Sequence, residues 1–215
     1  MQGSFHCVAD KITPRLCRGG NSAFGAHRDS GIAPRLCTGR EFNHWFSKDL
    51  IAEESFMKKV IICAEASALH LKKAIVDFLS GEGYDFTDAT SRDDLSYIEA
   101  GSIIGESISN GEYSFGIVMC GSGMGVNLVA NRYSGVYCGL CESLHTAKMA
   151  RTITNCNVLA LGGNIVAHDL ACRMVKAFLD TEFGETFPEE TVPALKNMFE
   201  EMDAVDRKTH EAAEG

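Results

Sequence analysis

FGIVMCGSGMGVNLVANR, residues 115–132, is the stretch of sequence that determines the fold. Its first six residues, Phe115–Cys120, form an apolar run that predicts a strand buried on both faces. Three glycines follow within five residues, and a helix is predicted over residues 124–132 at this loop. A buried strand that enters a helix through a short glycine loop is typical of a parallel sheet covered by helices.

The same alternation of strand and helix continues on both sides of this unit. The predicted strands are residues 59–64, 84–87, 115–120, 136–140 and 157–161. The predicted helices lie near residues 71–79, 100–108, 124–132, 143–152 and 165–179. This pattern predicts an α/β fold, a three-layer Rossmann-like parallel sheet of about five strands with helices on both faces. Because ligands bind beyond the carboxyl ends of such strands, function is expected in the loops after Ala64, Cys120 and Leu140.

The two ends of the chain differ from this central domain, which we assign to residues 56–185. Residues 1–48 contain seven Lys and Arg against three acidic residues, without sustained apolar periodicity, so residues 1–55 are predicted to be a disordered leader. In residues 186–215, the apolar side chains at Val192, Leu195, Phe199 and Met202 recur at helical spacing. They predict a C-terminal amphipathic helix with a solvated acidic outer face, followed by a short tail.

Composition excludes several classes of function. The net charge of -9 and the lack of clustered Lys and Arg argue against nucleic-acid binding, and no apolar run reaches the roughly 18 residues of a membrane span. Nine scattered cysteines indicate reduced thiols in an intracellular compartment. We expect a cytoplasmic protein, or a plastid or other organellar one if the leader is a transit peptide. Cys138 and Cys141 form a CxxC pair, which we assign to one buried strand rather than to a metal.

The loop after the third strand combines a thiol with a cradle for an anion. Glycines at a helix start let backbone N–H groups turn towards a phosphate or a developing oxyanion. The spacing fits neither the dinucleotide fingerprint nor the P-loop, which disfavours nucleotide binding. Cys120, at the strand end facing this loop, suits a base or a nucleophile. The alternative is a buried strand-end cysteine without chemistry, like Cys63.

Two segments, GIVMCGSGMGVNLVANRYSGVYCGLC (116–141) and ARTITNCNVLALGGNIV (150–166), resemble the ribose-5-phosphate isomerase B family, which includes the galactose-6-phosphate isomerase subunits. The resemblance spans about residues 59–183, and the motif NCNVLA is most similar to that of plant and algal members. It implies aldose–ketose isomerisation of a phosphorylated sugar, of the ribose 5-phosphate/ribulose 5-phosphate type of the pentose phosphate pathway. It also implies a Rossmann-like fold, a homodimer or tetramer with sites between subunits, and neither metal nor cofactor.

The resemblance assigns roles to particular residues. Cys120 is the implied base that moves a proton between C1 and C2 through a cis-enediolate, and Ser122 is the implied helper in hydroxyl proton transfer. The implied substrate-binding residues are Tyr97, Asn131 and the backbone amides of Gly121, Gly123, Met124 and Gly125. For Asn131, a purely structural role in holding the loop is the alternative.

Four positions depart from the family pattern. Glu65-Ala66 stands where members commonly have Asp-His, so a catalytic carboxylate survives at Glu65 but the histidine associated with ring opening is absent. Another expected histidine is Ile153, and the C-terminal phosphate-binding arginines fall on Thr186 and Glu190.

These departures leave two hypotheses open. The first is an active isomerase, with Arg132 and Arg151 as the nearest phosphate ligands and His145 or His70 as compensating histidines. The second is a catalytically degenerate relative that binds a sugar phosphate or a protein partner, in which these residues are ordinary surface or core groups.

Overall fold

A computed structural model describes residues 58–212 of the chain, so the predicted leader lies outside the described residues. In the described part, the strands are β1 (Val60–Ala64), β2 (Phe86–Asp88), β3 (Phe115–Cys120), β4 (Cys138–Leu140) and β5 (Val158–Gly162). The helices are α1 (Leu69–Glu82), α2 (Tyr97–Ser109), α3 (Met124–Ala130), α4 (Leu144–Thr152), α5 (His168–Asp180) and α6 (Val192–Glu211). Every strand pairing is parallel, which confirms the predicted α/β fold. None of the helices within residues 58–212 has the length and apolar character needed to cross a bilayer.

The sheet is covered on both faces, as the apolar strands predict. Side chains of a strand point alternately to opposite faces, and in β1 the residues Val60 and Ile62 enter one core cluster while Ile61 and Cys63 enter the other. Helices α1, α4 and α5 supply buried residues to the first cluster, and α2 and α3 supply them to the second. Burial on both faces explains why these strands are apolar at consecutive positions.

The strand order β2-β1-β3-β5-β4 creates a switch point between β1 and β3. The chain leaves β1 into α1, which packs on one face, and leaves β3 into α3, which packs on the other. Loops that diverge in this way open a crevice at the carboxyl ends of the two strands, where ligands bind in folds of this class. The order of the strands therefore singles out the ends of β1 and β3, at Ala64 and Cys120.

Strand β4 and helix α5 begin later than predicted, because local hydrogen bonds replace those of a regular strand or helix at these positions. Strand β4 begins two residues later than predicted, because the Tyr137 N–H donates to the side chain of Asn157 rather than to a neighbouring strand. Helix α5 begins at His168 rather than at residue 165, since Ile165 and Val166 form a turn whose N–H groups bond to the Gly162 carbonyl.

The predicted C-terminal helix is α6, which packs against the residues that precede β4. The Phe199 ring meets the Tyr137 ring edge-on, and the Tyr137 hydroxyl donates to Asp203 at 2.5 Å. Asp206 accepts from the Gly135 N–H at 2.9 Å. Burial and the carboxylate of Asp203 together raise the pKa of Tyr137. The sequence predicts that the acidic face of α6 is only a solvated surface. Two of its carboxylates, those of Asp203 and Asp206, instead bond to the domain and hold the helix against it.

Candidate active site

Glu65 and Cys120 are neighbours at the switch point of the sheet. In the β1–β3 register Ala64 lies opposite Met119, and the Glu65 N–H donates to the Met119 carbonyl at 2.9 Å, which continues the pairing by one residue. Glu65 therefore lies opposite Cys120, on a strand about 4.8 Å away. Alternation directs both side chains to the same face as Cys63 and Val118. A carboxylate and a thiol thus lie side by side where the crevice opens.

The glycine loop wraps around the Cys120 sulfur. Gly123 adopts a left-handed conformation, with φ of 77°, and its N–H donates to the Cys120 Sγ at 3.2 Å. A Cβ atom at Gly123 would lie 2.9 Å from the backbone carbon of Leu161, so the loop accepts only glycine there. Cys120 is 5% exposed, which places its sulfur beneath the loop rather than out in solvent.

Some of the backbone amides in the loop after Cys120 already have hydrogen-bond partners inside the loop. The Met124 N–H donates to the Ser122 hydroxyl at 3.3 Å, so this amide and that of Gly123 are both bonded inside the loop. The Ser122 carbonyl lies against β5, where a Cβ atom at Gly162 would come within 2.8 Å of it. The structure thus brings Ser122, Gly123 and Met124 together with Cys120, as predicted, but two of the four proposed amides already have partners.

Tyr97 lies over the start of α3, although it is distant in sequence from the loop. It is the first residue of α2, whose start is fixed by a capping box between Ser96 and Glu99. Bonds from the Ser96 backbone and side chain, with Arg92, lower the pKa of Glu99 to about 2. A Cβ atom at Gly125 would lie 2.6 Å from the Tyr97 ring, so the ring and the glycine are in contact. The predicted substrate-binding tyrosine is therefore adjacent to the loop.

Two further polar side chains, Ser67 and Asn164, reach the same place and were missed in the sequence analysis. The Ser67 hydroxyl donates to Glu65 Oε2 at 2.5 Å. A Cβ atom at Gly121 would lie 2.9 Å from the Ser67 Oγ and 3.1 Å from the Asn164 Nδ2, so both flank Gly121. Each follows a strand end by two or three residues, and this position at the carboxyl edge was the available signal.

Asn131 and Arg132 lie at the far end of α3, about 10 Å along the helix from the loop. The Asn131 amide group donates to the Cys138 carbonyl at 2.9 Å and accepts from the Cys138 N–H at 2.8 Å, which ties α3 to β4. Arg132 is exposed, and its carbonyl bonds to His210 at 3.0 Å. The structure does not bring either side chain to Cys120 within one chain, and the geometry of Asn131 supports the structural alternative.

Arg151 is separated from the loop by the length of the sheet. Its guanidinium lies 4.9 Å from the ring centre of Phe115, at the amino end of the strand whose other end is Cys120. It donates to the carbonyls of Cys156, at 2.7 Å, and Thr181, at 3.4 Å. Burial lowers the pKa of this guanidinium. Arg151 is therefore buried at the amino end of the sheet, and these hydrogen bonds go to backbone carbonyls there rather than to the carboxyl edge.

The histidines considered as compensating groups lie at the carboxyl edge but are exposed. His145 is on the first turn of α4, two strands away from β3. His70 is on α1, and its Nδ1 lies 2.9 Å from the Nε2 of His168 at the start of α5. Within residues 58–212 neither side chain hydrogen-bonds to the Cys120 loop, so the thiol and Glu65 are the groups that the fold itself brings together.

The CxxC pair is buried, as predicted. Cys138 lies in β4 and Cys141 directly follows this strand, with Cys156 close by across Gly139. Burial raises the pKa of Cys141 to about 11 and also raises the pKa of Cys156. Within residues 58–212, no three His, Cys, Asp or Glu side chains are arranged to hold a metal ion. These three thiols belong to the buried core of the domain.

A separate hollow of about 300 Å³ opens at the opposite, amino edge of the sheet. Among its lining residues are Lys59, Tyr113 and the carboxylates of Asp85 and Glu112. Its lining holds neither a cysteine nor a histidine, and two carboxylates disfavour an anionic ligand. Since ligands of parallel sheets bind at the carboxyl edge, the strand ends at Glu65 and Cys120 remain the candidate site.

Comparison with known proteins identifies one family and several relatives. The model of the family described as Ribose/Galactose Isomerase matches residues 60–193. The 4-deoxy-4-sulfo-D-erythrose isomerase of Clostridium sp. (strain MSTE9) is 36% identical over 155 residues, which cover 71% of this chain and 98% of that protein. The D-erythrulose-4-phosphate isomerase of Pectobacterium atrosepticum is 32% identical over 130 residues, 59% of this chain and 86% of the other.

A solved structure supports the same relationship. The ribose-5-phosphate isomerase B of Clostridium thermocellum superposes with a TM-score of 0.63 at 29% identity. The superposition covers 70% of this chain and 99% of that protein. The similarity therefore extends over the whole of the relative, from the first strand to its C-terminal region.

Proposed function

This chain belongs to the ribose/galactose isomerase family of sugar-phosphate isomerases, and on that premise we propose that it interconverts the aldose and ketose forms of a four-carbon sugar with an anionic group at its far end. The observation that supports this most is the pairing of Glu65 with Cys120 at the switch point of the sheet. A thiol and a carboxylate on one face, below a glycine loop, provide the groups that proton transfer between adjacent carbons requires.

In the proposed reaction Cys120 is the base. It removes the proton from one carbon of the carbonyl–hydroxyl pair and returns it to the other through a cis-enediolate. Ser122 and Glu65 move the hydroxyl protons. The amides of Gly121 and Gly125, which have no hydrogen-bond partner among residues 58–212, stabilise the negative oxygens. The reaction is an internal redistribution of protons and electrons, so its balance needs no cofactor.

The choice of a four-carbon sugar rests on ring chemistry. An aldose closes a five-membered ring through its C4 oxygen, and ribose 5-phosphate has that hydroxyl free. In erythrose 4-phosphate the C4 oxygen carries the phosphate, and a 4-deoxy-4-sulfo sugar lacks it, so neither sugar forms this ring. Ala66 stands where the family commonly has a histidine associated with ring opening. A site without that histidine suits a substrate that is already open.

The two relatives described above point the same way. One is named for 4-deoxy-4-sulfo-D-erythrose and the other for D-erythrulose 4-phosphate, both four-carbon sugars with an anionic terminus. Activity on ribose 5-phosphate, a place in the pentose phosphate pathway and a closer likeness to plant and algal members stay predictions.

A panel of sugar phosphates tests the substrate class. We expect kcat/KM for D-erythrose 4-phosphate to exceed that for D-ribose 5-phosphate by roughly tenfold or more, because only the second substrate must be opened from a ring. Rates of aldose–ketose interconversion, measured with tetrose, pentose and hexose phosphates at equal concentration, provide the comparison.

An Ala66→His variant is the matched control for that panel. The side chain at position 66 is exposed, so the substitution should leave the melting temperature unchanged. It should raise the rate on ribose 5-phosphate relative to that on erythrose 4-phosphate. A wild-type preference for ribose 5-phosphate would contradict the four-carbon assignment.

The competing function is a non-catalytic relative that binds a sugar phosphate or a protein partner. It is favoured by Glu190 and Ile153, which stand where the family has an arginine and a histidine, since a carboxylate repels phosphate. Thermal stabilisation by erythrose 4-phosphate without turnover of any sugar in the panel would support this function over the first.

We further propose that the working protein is a homodimer, in which a second copy covers an apolar patch beside the active site. The patch consists of Tyr97, Ile98, Met124 and Leu128, which are 47–62% exposed. The contact between the Tyr97 ring and Gly125 joins the two halves of the patch and places it against the loop after Cys120. Contiguous apolar surface next to a site is typical of a protein interface.

Placing a charge in this patch should separate the subunits. We expect Leu128→Glu to be monomeric, because a buried unpaired carboxylate opposes association. It should also lose most isomerase activity, because the patch lies against the loop after Cys120. Light scattering after gel filtration gives the mass, and the sugar assay gives the rate. Val205→Glu, at an equally exposed apolar residue of α6, should stay dimeric. A wild-type monomer, or a dimeric Leu128→Glu, would contradict this assembly.

A further inference from the structure

We propose that Ser67 is a positioning residue, which holds the Glu65 carboxylate in the orientation needed beside Cys120. The inference rests on the proposed function, because it assigns Ser67 a task in that reaction. Three observations support it: the hydrogen bond from Ser67 to Glu65, the approach of Ser67 to Gly121, and the strand register that places Glu65 opposite Cys120.

The Ser67 hydroxyl and the Glu65 carboxylate form a short, local pair. The donor and acceptor oxygens are 2.5 Å apart, within the range of a charge-assisted bond. The backbone supports this geometry, since residues 66–68 form a 3-10 turn in which the Ala68 N–H donates to the Glu65 carbonyl at 2.9 Å. The turn folds the serine back over the residue at the strand end.

This bond restrains a carboxylate that is otherwise free to move. Glu65 is one methylene longer than the aspartate common at this position in the family, and each added rotatable bond increases the number of rotamers. Ser67 engages Oε2, whereas Oε1 has no hydrogen-bond partner among residues 58–212. A tether on one oxygen leaves the other available to a substrate hydroxyl. The serine therefore offsets the disorder that the longer side chain introduces.

Gly121 couples this pair to the loop after Cys120. Its missing Cβ leaves the space that the Ser67 hydroxyl occupies, 2.9 Å from where that atom would be. An alanine there would fit only by displacing the hydroxyl, which is the movable end of a flexible side chain. Gly121→Ala should thus break the Ser67–Glu65 bond from the other side and reproduce the effect of removing the serine.

Activity measurements separate positioning from a merely structural role. With D-erythrose 4-phosphate, Ser67→Ala should lower kcat by about tenfold to a hundredfold with KM within about twofold, because misplaced catalytic groups slow the chemical step. Ser67→Thr, which keeps the hydroxyl, should restore most of the rate. In a Glu65→Gln background, Ser67→Ala should have almost no further effect. Equal losses in Ser67→Ala and Ser67→Thr, or full additivity with Glu65→Gln, would overturn the proposal.

A crystal structure of Ser67→Ala gives a readout that does not depend on turnover. We expect Glu65 to occupy more than one rotamer in Ser67→Ala, and a single rotamer in Ser67→Thr and in the wild type. An unchanged single rotamer of Glu65 in Ser67→Ala rejects the inference even if the proposed substrate turns out to be wrong. Inactivity of the wild type across the sugar panel, by contrast, counts against the proposed function alone.

Discussion

Replacing Cys120 by alanine should reduce kcat for aldose–ketose interconversion by about 10²- to 10⁴-fold, the range typical of losing a general base. The reason is positional: this thiol lies at the carboxyl end of β3, with Glu65 on the next strand and the Gly123 N–H on its sulfur. Initial rates with D-erythrose 4-phosphate measure the loss. The melting temperature should change little, because a single sulfur atom at the edge of the core is removed.

Cys63 provides the matched control for this experiment. It lies on the neighbouring strand, faces the same core cluster and is fully buried, but it precedes the strand end by one residue. Burial raises the pKa of its thiol to about 11, as expected of a structural cysteine. Cys63→Ala should retain activity within about twofold at a modest cost in stability. Comparable losses of rate in the two variants would show that the thiol at 120 has no special role.

The second large effect is expected on stability, from Gly123→Ala. The residue has φ of 77°, and an added Cβ would meet the Leu140 side chain at 2.6 Å. It would also meet the backbone of Leu161 at 2.9 Å and of Gly162 at 3.0 Å, and these backbone atoms cannot move aside as a side chain can. Strain in the left-handed region and the clash together should lower the free energy of unfolding by about 3 kcal/mol or more. Chemical denaturation followed by circular dichroism measures this change.

Gly83→Ala separates the cost of backbone strain from the cost of the steric clash. Gly83 ends α1 with φ of 79°, close to that of Gly123, but a Cβ atom there would meet nothing within 4 Å. Its replacement should cost only about 1 kcal/mol, from backbone conformation alone. If Gly123→Ala and Gly83→Ala prove equally destabilising, the close packing of the loop against β5 has been overestimated.

The site was only partly accessible to sequence reasoning. Cys120 and its glycines are contiguous, so their chemistry is visible in one short motif. Ser67 and Asn164 lie some 40 to 55 residues from this motif on either side, and nothing in their neighbourhood marks them apart from their place after a strand. Arg151 illustrates the opposite situation: a cation near a family motif predicts a phosphate ligand, and the tertiary structure places this guanidinium over the Phe115 ring inside the domain.

The sequence by itself determined the alternation of strands and helices, the burial of β1, β3 and β5, and the joining of Cys120 to a glycine loop, because these follow from local periodicity and backbone freedom. Only the tertiary structure decided the strand order, and with it the pairing of Glu65 with Cys120 and the approach of Ser67 and Tyr97 to the loop. Such contacts join residues that are distant along the chain. They depend on which strands become neighbours and on which face each helix packs, and hydrophobic periodicity is the same for every such arrangement.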